Sequence, residues 1–585
     1  MPSPSALRRS AALLALLLQA SLVVNAAAQA PPAELGSTAP RGGPIDDARG
    51  YGPLQHPVRG SGGLVVTQSR PASEVGAQVL RDGGNAVDAA VAIGLAEAVT
   101  LPRAGNLGGG GYVLIHLAAQ KRTVAIDYYP QGPAALTPDY WNDADGKPDR
   151  RKAISHQGVA VPGTVAGLYL AHQRYGKLPW RKVVQPAIDL AEHGVRLSDD
   201  EAMILQWGRR SLDKDPVARR IFYKPDGSAY QAGELLRQPE LAWSLRQIAE
   251  GGADAFYRGE IAQRIVTASR AGGGLLTAED LAGYRAIESE PLWSSYRGVR
   301  LALVPPSGSG ATLAAILNIL EHFPLADYGP GSARATHLIA EATRLAVVDR
   351  AGHLGGFPHH RTPARELASK AYAAERAALI RPDTIIPAAQ LQAGDPYRHE
   401  GKDTTHYTVV DADGNVVANT YTLGANFGAS VVPAGTGILL NNSLSNYEWN
   451  DRASPSAPAG GKRVISPITP FIAFQGERPW LAAGAPGGGY IIPAIAQFIV
   501  NVVDHRLNIA EATARPRINA SADGTIHYEQ AFSPDTLALL AGYGHPLQPS
   551  ITQTSIQSIE IRADGRTYGA ADTRRPDSTV VGAER

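Results

Sequence analysis

The chain of 585 residues is long enough for several domains, and its 55 Lys and Arg residues almost balance its 54 Asp and Glu residues. The resulting net charge of +1 favours neither nucleic acid nor an anionic membrane surface as a partner. The absence of cysteine excludes disulfides, a thiol nucleophile, a lipid-modified cysteine and cysteine metal sites. The 62 glycines and 43 prolines predict many turns, as in a large mixed helix-and-sheet protein rather than a helical bundle.

The first 28 residues are typical of an export signal. Arg8 and Arg9 supply positive charge, an apolar run follows at 11–24, and three alanines at 26–28 provide a cleavage site. The apolar run is short for a transmembrane helix. We therefore predict a signal peptide at 1–28, a periplasmic or secreted location, and no membrane span after its removal. Both the general and the twin-arginine export routes remain open.

Residues 29–54 are rich in Pro, Gly and Ala without periodicity, which predicts a flexible lead-in. A strand is then predicted at 63–67 and a helix at 72–81. A second helix is predicted next, because Val87, Val91, Leu95 and Val99 recur every four residues before Pro102. Its hydrophobic residues lie on one face.

The glycine-rich run GNLGGGG at 105–111 leads directly into a predicted strand at 112–117. A dinucleotide-binding fingerprint needs a helix at that point, so this function is excluded. The glycines instead indicate that two backbones pass closely, and a strand at 123–128 returns antiparallel. Helices dominate the prediction from 163 to 350. The pair His359 and His360 has no partner at metal-ligand spacing and predicts a solvated loop, so we expect no metal and no cofactor.

A polar, breaker-rich segment at 386–403 ends at a predicted β-hairpin. Its strands begin at Thr404 and at Val416, and Gly414 takes the left-handed position of the tight loop between them. A hairpin centred on Asp413 places Thr404 opposite Thr422, to within about one position. Threonine favours strands, so the two hydroxyls are also consistent with a plain hairpin. Alternatively, cleavage before Thr404 would free an α-amino group with a pKa of about 7.7–8, a usable base beside the hydroxyl.

Strands are predicted at 437–440, 468–474 and 480–483, followed by the run GAPGGG at 484–489. This run opens a helix at 491–504 that is apolar nearly all round and is therefore buried. The backbone amides at its start are suited to stabilising an oxyanion, although a plain turn before a core helix is the simpler interpretation. Two strands, at 557–561 and 566–570, close the chain.

Four motifs resemble those of the γ-glutamyltranspeptidase family of N-terminal-nucleophile hydrolases: NAVDAA at 85–90, the glycine run at 105–111, DTTHY with DADGN at 403–415, and YGAAD at 568–572. The resemblance implies an α+β fold, a four-layer αββα sandwich formed by two autoprocessed subunits. Cleavage between Asp403 and Thr404 would give a large subunit at 55–403 and a small subunit at 404–585, which stay associated. It also implies that Thr404 is the nucleophile, Thr422 its hydroxyl neighbour, and Gly487 and Gly488 the oxyanion donors.

The residues that the family uses to bind a glutamyl group do not carry over. Tyr129 stands where the family has an arginine that clamps the α-carboxylate. Asn446 stands where the family has an acidic residue that holds the α-ammonium. Three neutral positions of the pocket correspond to Gly424, Ser443 and Ser466. Both charged anchors are therefore missing as mapped.

Two explanations for the missing anchors remain open. Tyr128, Tyr129 and Tyr490 favour a larger or aromatic acyl group, as in cephalosporin-acylase-like relatives. Alternatively, Arg103 or Arg463 replaces the clamp. The sequence thus predicts an exported, self-processing amidohydrolase or acyltransferase that cleaves γ-glutamyl or related small-molecule amides. A non-glutamyl amide hydrolase is the first alternative, and a processed but inactive periplasmic binding protein is the second.

Overall fold

The computed structural model describes residues 55–391, 403–551 and 554–584. The predicted signal peptide, the predicted lead-in, and residues 392–402 of the breaker-rich segment lie outside the described residues. Within these ranges, no helix is both long enough and apolar enough to cross a membrane.

Nineteen strands occur in the described residues. In chain order they are β1 Val58–Gly60, β2 Gly63–Thr67, β3 Gly110–Leu117, β4 Arg122–Asp127, β5 Val195–Arg196, β6 Leu235–Leu236, β7 Ile287–Ser289, β8 Leu292–Tyr296, β9 Val299–Leu303, β10 Asp403–Asp411, β11 Val416–Gly424, β12 Phe471–Gln475, β13 Arg478–Gly484, β14 Ile518–Ala520, β15 Ile526–Glu529, β16 Leu547–Ser550, β17 Gln557–Ile561, β18 Thr567–Ala571 and β19 Thr579–Gly582.

Two seven-stranded sheets form the centre of the molecule. One has the order β19-β2-β10-β11-β3-β4-β7 and the other the order β1-β18-β17-β13-β12-β9-β8. All neighbouring strands within both sheets run antiparallel. The hairpin β10–β11 is therefore in the middle of the first sheet, where its backbone is paired on both sides.

The α-helices cover the outer faces of the two sheets. In chain order they span Arg70–Arg81, Ala86–Thr100, Thr164–Tyr175, Trp180–His193, Asp199–Leu212, Pro216–Phe222, Pro239–Tyr257, Glu260–Ala271, Ala278–Gly283, Gly310–Leu320, Leu325–Tyr328, Ala333–His353, Ala364–Leu367, Lys370–Ala377, Ile491–Val503, Ile509–Ala514 and Pro534–Gly542.

Two large hydrophobic cores hold these layers together. Most helices before residue 284 pack on the outer face of the β10-containing sheet, whereas Asp199–Leu212 and Pro216–Phe222 form a smaller cluster with the end of β11 and the loop after it. The other core fills the space between the sheets and joins the second sheet to helices that include Gly310–Leu320 and Ile491–Val503. Strand residues alternate between the two cores because successive side chains of a strand point to opposite faces. The predicted four-layer αββα architecture is confirmed.

The helix Ala86–Thr100 shows how the sequence shapes these layers. Asn85 accepts hydrogen bonds from the backbone of Val87 and Asp88, while Asp88 accepts one from the Asn85 backbone, so the helix begins with a capping box. Its sequence predicted one apolar face. All of its residues are nevertheless buried, because the helix is surrounded by other helices on the side away from the sheet.

One strand prediction is wrong. Residues 437–439 do not form a strand, and only Leu440 makes an isolated bridge, to Gly108. Gly435 and Gly437 both have positive φ angles, of 76° and 66°, so the backbone turns here instead of extending. The strand predicted at 468–474 begins at Phe471, because the backbone amide of Ser309 donates to the Ile468 carbonyl outside the ladder.

Candidate active site

The two threonine hydroxyls meet at the head of the central hairpin. Thr404 Oγ1 donates a hydrogen bond of 3.2 Å to Thr422 Oγ1, and both side chains are buried. The pairing of Thr405 with Tyr421 agrees with the predicted register, and the ladder is irregular between Asp403 and Thr405. Gly414 has a φ of 82° in the loop, as predicted. The amide of Gly424 donates to Thr422 Oγ1 at 2.8 Å, and this hydrogen bond holds the accepting oxygen in place.

In the structure the chain is continuous through Asp403 and Thr404, which both belong to β10. Thr404 therefore contributes a peptide amide here and not a free α-amino group.

A buried histidine connects the hairpin with the second sheet. His406 contacts Thr420 Oγ1 through Nδ1 at 2.7 Å and Thr408 Oγ1 through Nε2 at 2.9 Å. Because Thr408 donates its own proton to the Gln557 carbonyl, His406 Nε2 is the protonated nitrogen and Nδ1 the acceptor. Burial lowers the pKa of His406 to about 3. His406 is therefore neutral, and it holds the two sheets together instead of exchanging protons.

The predicted oxyanion glycines follow the end of β13. Its last residue, Gly484, packs on the His406 ring so closely that a Cβ would lie 2.4 Å from Nδ1. Gly487 and Gly488 follow with φ angles of 125° and 57°, which only glycine adopts without strain. They lead into the short turn Gly488–Tyr490 and the buried helix Ile491–Val503. Gly484, the first glycine of the run, thus contacts His406, which lies on the same strand as Thr404.

Tyr129 and Asn446, the two residues predicted to stand in place of charged anchors, contact each other. Asn446 Nδ2 donates to the Tyr129 hydroxyl at 3.2 Å and to the Ile465 carbonyl at 3.3 Å. The Tyr129 ring stacks on Tyr112, with a centroid distance of 5.5 Å. Tyr112 pairs with Thr420 across β3 and β11, so these rings lie on the same face and at the same end of the sheet as Thr422. The structure therefore brings Tyr129 and Asn446 together beside the threonine pair.

Gly424 and Ser443 lie close to the threonine pair, because the loop after β11 is bound back to the hairpin. Asn442 Oδ1 accepts a hydrogen bond from Ala425, and a Cβ on Gly424 would lie 2.2 Å from that oxygen. Asn441 binds the Gly108 carbonyl at 2.8 Å and the Ser443 amide at 3.0 Å. The Ser443 hydroxyl is buried and has no hydrogen-bond partner among the described residues. Such a group is available for a ligand.

Ser466 is buried, and its side chain serves the local backbone. Its Oγ accepts a hydrogen bond from Ile468, and its carbonyl accepts one from Ser309 Oγ at 2.6 Å. Its amide donates to the Ser307 carbonyl. The Ser307 hydroxyl is buried, faces the Tyr112 phenol and makes no hydrogen bond of ordinary geometry in the described part of the chain. Ser307, which sequence reasoning passed over, thus joins Ser443 as a potential ligand for substrate.

Both arginines that were considered as a substitute clamp are already bound to other protein groups. Arg103 is 1% exposed and forms a buried ion pair with Glu201 at 2.5 Å and with Asp200 at 3.2 Å. Arg463 lies next to Tyr129 and donates to its carbonyl, to the Tyr284 hydroxyl and to the Arg285 carbonyl. Both guanidinium groups hold protein segments together.

Tyr128 does not join Tyr129. Its hydroxyl donates to Asn419 Oδ1 at 2.5 Å, and its ring packs against Gly167 in the helical layer. Neighbouring residues at the end of a strand point to opposite faces, which the sequence prediction of an aromatic pocket did not take into account. Tyr490 is half-buried and follows the glycine run.

Two stacked antiparallel sheets between helical layers, with a pair of hydroxyls at the head of a central strand, define an N-terminal-nucleophile hydrolase fold. The sequence matches the γ-glutamyltranspeptidase family over residues 72–582. The chain belongs to the γ-glutamyltranspeptidase family. This result confirms the predicted family and class of enzyme, one that hydrolyses or transfers acyl groups of amides.

Relatives of two kinds resemble the chain over most of its length. A glutathione hydrolase proenzyme from Escherichia coli (strain K12) is 40% identical over 599 residues, covering 100% of both chains. An acylase ACY 1 proenzyme from Pseudomonas sp. (strain V22) is 38% identical over 536 residues, covering 90% of this chain and 94% of the relative.

Solved structures show the same two kinds of relative. The cephalosporin acylase from Bacillus halodurans has a TM-score of 0.83 at 28% identity and covers 92% of this chain and 99% of its own. The γ-glutamyltranspeptidase from Helicobacter pylori has a TM-score of 0.54 at 38% identity, covering 55% of this chain and 93% of its own.

Proposed function

We propose that this protein is an exported, self-processing enzyme that cleaves γ-glutamyl or related amide bonds through a threonyl acyl-enzyme. The observation that carries the proposal is the hydrogen bond from the Thr404 hydroxyl to Thr422 at the head of β10. A hydroxyl held by a second hydroxyl at the start of a central strand suits a nucleophile better than a packing residue. A binding protein that performs no reaction would not need this arrangement.

Self-processing would begin with attack of Thr404 Oγ on the carbonyl carbon of Asp403. The C–N bond breaks, its nitrogen takes the hydroxyl proton, and an ester joins the two residues. Water then hydrolyses the ester to an Asp403 carboxylate and a free Thr404 α-amino group. The products are a large fragment that ends at Asp403 and a small fragment of residues 404–585, which share both sheets and so remain associated.

Turnover would use the same hydroxyl. The Thr404 α-amino group takes its proton while Oγ attacks the substrate carbonyl, and the amides of Gly487 and Gly488 stabilise the oxyanion. Collapse of the tetrahedral intermediate breaks the C–N bond, and the leaving amine takes up the proton. Water or a second amine then removes the acyl group from Thr404.

The acyl group is the part of the proposal in which two candidates compete. The glutathione hydrolase relatives favour a γ-glutamyl group. The neutral contact between Tyr129 and Asn446 favours a different amide, because charge-assisted hydrogen bonds normally hold a zwitterionic amino acid at both ends. Similarity to a cephalosporin acylase and to ACY 1 acylases is consistent with this second candidate.

Self-processing is tested by expressing the full chain with its leader, separating the fragments and sequencing their N-termini. We expect a small fragment that starts at Thr404. The variant Thr404→Ala should remain one chain and lose at least about 10³-fold in kcat/KM, whereas Thr404→Ser, which keeps a hydroxyl, should still be cut. A small fragment with another N-terminus would overturn the assignment.

The acyl group is tested by offering the processed enzyme a γ-glutamyl anilide and a series of simple and aromatic acyl anilides. We expect a higher kcat/KM for at least one non-glutamyl anilide. If the γ-glutamyl anilide is preferred and glutathione is cleaved efficiently, the first candidate holds and the missing anchors have been replaced in another way.

A further inference from the structure

Glu97 is a buried acid directly behind the strand that carries Thr404. It belongs to the helix Ala86–Thr100, and its side chain is 0% exposed. Neither carboxyl oxygen makes a hydrogen bond of ordinary geometry with a described residue. Arg103, the cation that acts on Glu97, is already engaged by Glu201 and Asp200. A carboxyl group in such a place is costly to keep unless it has a role.

The groups that face Glu97 come from the hairpin and its neighbours. Thr405 of β10 and Tyr421 of β11 are close enough to influence its ionisation. The Tyr421 phenol donates to the Gly94 carbonyl at 2.8 Å, whereas the hydroxyls of Thr405 and Tyr407, which face Glu97 and Asn419, make no hydrogen bond of ordinary geometry with a described residue. Tyr128 lies further along the same layer and donates to Asn419. Arg103 is the cation that faces this cluster.

Burial raises the pKa of Glu97 to about 8, and the Thr405 hydroxyl, the Tyr421 phenol and Arg103 counteract the shift only in part. At neutral pH the group is therefore mostly a neutral acid that can donate a proton. The Thr405 hydroxyl oxygen and the Tyr421 phenol oxygen are the acceptors within reach. Glu97 thus differs from an ordinary buried carboxylate, which would need an ion-pair partner.

Thr404 and Thr405 point to opposite faces of β10. His406 and Thr408, on the Thr404 side, contact the second sheet, whereas Tyr407, on the Thr405 side, packs with the helical layer. The ladder with β11 is irregular at this point. After cleavage the head of β10 would be a chain end, held by fewer backbone hydrogen bonds than the strand interior.

We propose, building on the proposed function, that Glu97 is a positioning residue for Thr404. As a neutral acid it donates to the Thr405 hydroxyl, anchors the new chain end to the helix Ala86–Thr100, and keeps Thr404 Oγ directed at Thr422. When Glu97 loses its proton, it can only accept hydrogen bonds. Thr405 and Tyr421 must then turn their hydroxyls toward it, and the contact that anchors the start of β10 is altered.

The test compares Glu97→Gln, which keeps a neutral donor, with Glu97→Leu, which removes it. Processing, kcat and KM are measured between pH 6 and 9.5 with the best anilide substrate of the wild type. We expect Glu97→Leu to lower kcat by about three- to tenfold with little change in KM, the effect of one lost hydrogen bond. We expect the activity of the wild type to fall above about pH 8, where Glu97 loses its proton, and Glu97→Gln should retain most of kcat and lose this fall.

A double variant separates positioning from general stability. Thr405→Val should reproduce the effect of Glu97→Leu, and the double variant should be no worse than either single variant, since both changes remove one contact. Glu560→Gln is the matched control, because Glu560 is another buried acid whose pKa burial raises, on β17. It should change neither kcat nor the pH profile.

The proposal is overturned if Glu97→Gln keeps the wild-type alkaline fall, or if Glu97→Leu folds and retains wild-type kcat. The pH profile of Glu97→Gln tests the proposal even if Glu97→Leu does not fold. Failure of the proposed function looks different, because Thr404→Ala would then remain active whatever happens at Glu97.

Discussion

Thr404 and Thr422 lie on adjacent strands of one hairpin, whereas Tyr129 and Asn446 are 317 residues apart and meet through two loops. The first pair is positioned by a ladder of backbone hydrogen bonds in the middle of a sheet. The second pair depends on side-chain contacts that a few substitutions can replace. We call these the reaction half and the binding half of the site.

This difference explains how one fold can serve several substrates. The reaction half keeps every group that the family resemblance implies, because moving either threonine would require a new strand register. On the family resemblance, the binding half would have exchanged an arginine and an acid for a phenol and an amide without disturbing the sheet. On the proposed function, substrate preference would be altered at loop positions while the scaffold holds the chemistry constant.

The largest expected effect comes from restoring the family's charges in the binding half. Tyr129→Arg with Asn446→Asp should raise kcat/KM for a γ-glutamyl anilide by about two to four powers of ten, since each charge-assisted hydrogen bond contributes roughly 1.5–3 kcal/mol. The two changes are needed together, because either alone would leave a buried charge unpaired.

Tyr129→Phe is the control for this experiment. It removes the hydroxyl that Asn446 contacts but adds no charge, so it should not improve γ-glutamyl turnover. If the wild type already cleaves glutathione at the rate of an efficient enzyme, the comparison between the two halves fails, because the binding half would then be complete without these anchors.

The reaction half was largely predictable from the sequence. A short loop centred on Asp413 leaves little freedom of register, so the contact between Thr404 and Thr422 followed from counting along two strands. The capped helix that begins after Asn85 was equally clear. Local signals were sufficient because the two strands of the hairpin are close in sequence and the apolar residues of the helix recur with a regular period.

The binding half could be located only in part. Family resemblance pointed to Tyr129 and Asn446 separately, but nothing in the sequence indicated that they touch. The opposite directions of Tyr128 and Tyr129 depend on where β4 ends, at Asp127. Such features arise from tertiary packing and not from local pattern.

Two buried groups were overlooked for a different reason. His406 stood inside a recognised motif, and Glu97 stood inside a helix whose apolar stripe suggested one solvent-facing side. Their unusual protonation follows from complete burial. Periodicity cannot distinguish a helix buried on one side from a helix buried on all sides when most of its residues are small or apolar.

The next largest effect tests whether Thr422 serves the reaction or only the packing. Thr422→Val should lower kcat roughly ten- to a hundredfold and change KM less than about twofold, because the hydroxyl would act on Thr404 in the transition state. Thr513→Val is a suitable control, since this buried hydroxyl has no partner among the described residues and lies in the helix Ile509–Ala514. A larger change in KM than in kcat would place Thr422 in the binding half.

The smallest expected effect on activity concerns His406, and its signature is the stability of the reaction half at acid pH. The pKa of His406 falls from 6.5 to about 3 on burial, so between these values the unfolded chain takes up a proton that the folded protein does not. The stabilisation is complete above about pH 6.5 and is lost progressively as the pH falls toward 3. From pH 6.5 to 4.5 the loss is on the order of 2–3 kcal/mol.

His406→Gln removes this titration, so its melting temperature should fall less between pH 7 and 4.5 than that of the wild type. The variant will be less stable at pH 7, because Thr420 and Thr408 lose their partner, and the slope is therefore the quantity to compare. His359→Gln, in an exposed loop, should keep the wild-type slope. If His406→Gln also keeps it, His406 takes up its proton in the folded protein over the same pH range as in the unfolded chain. Below about pH 6.5 the two sheets would then be joined behind Thr404 by a charged group, and the lowered pKa assigned to His406 would be wrong.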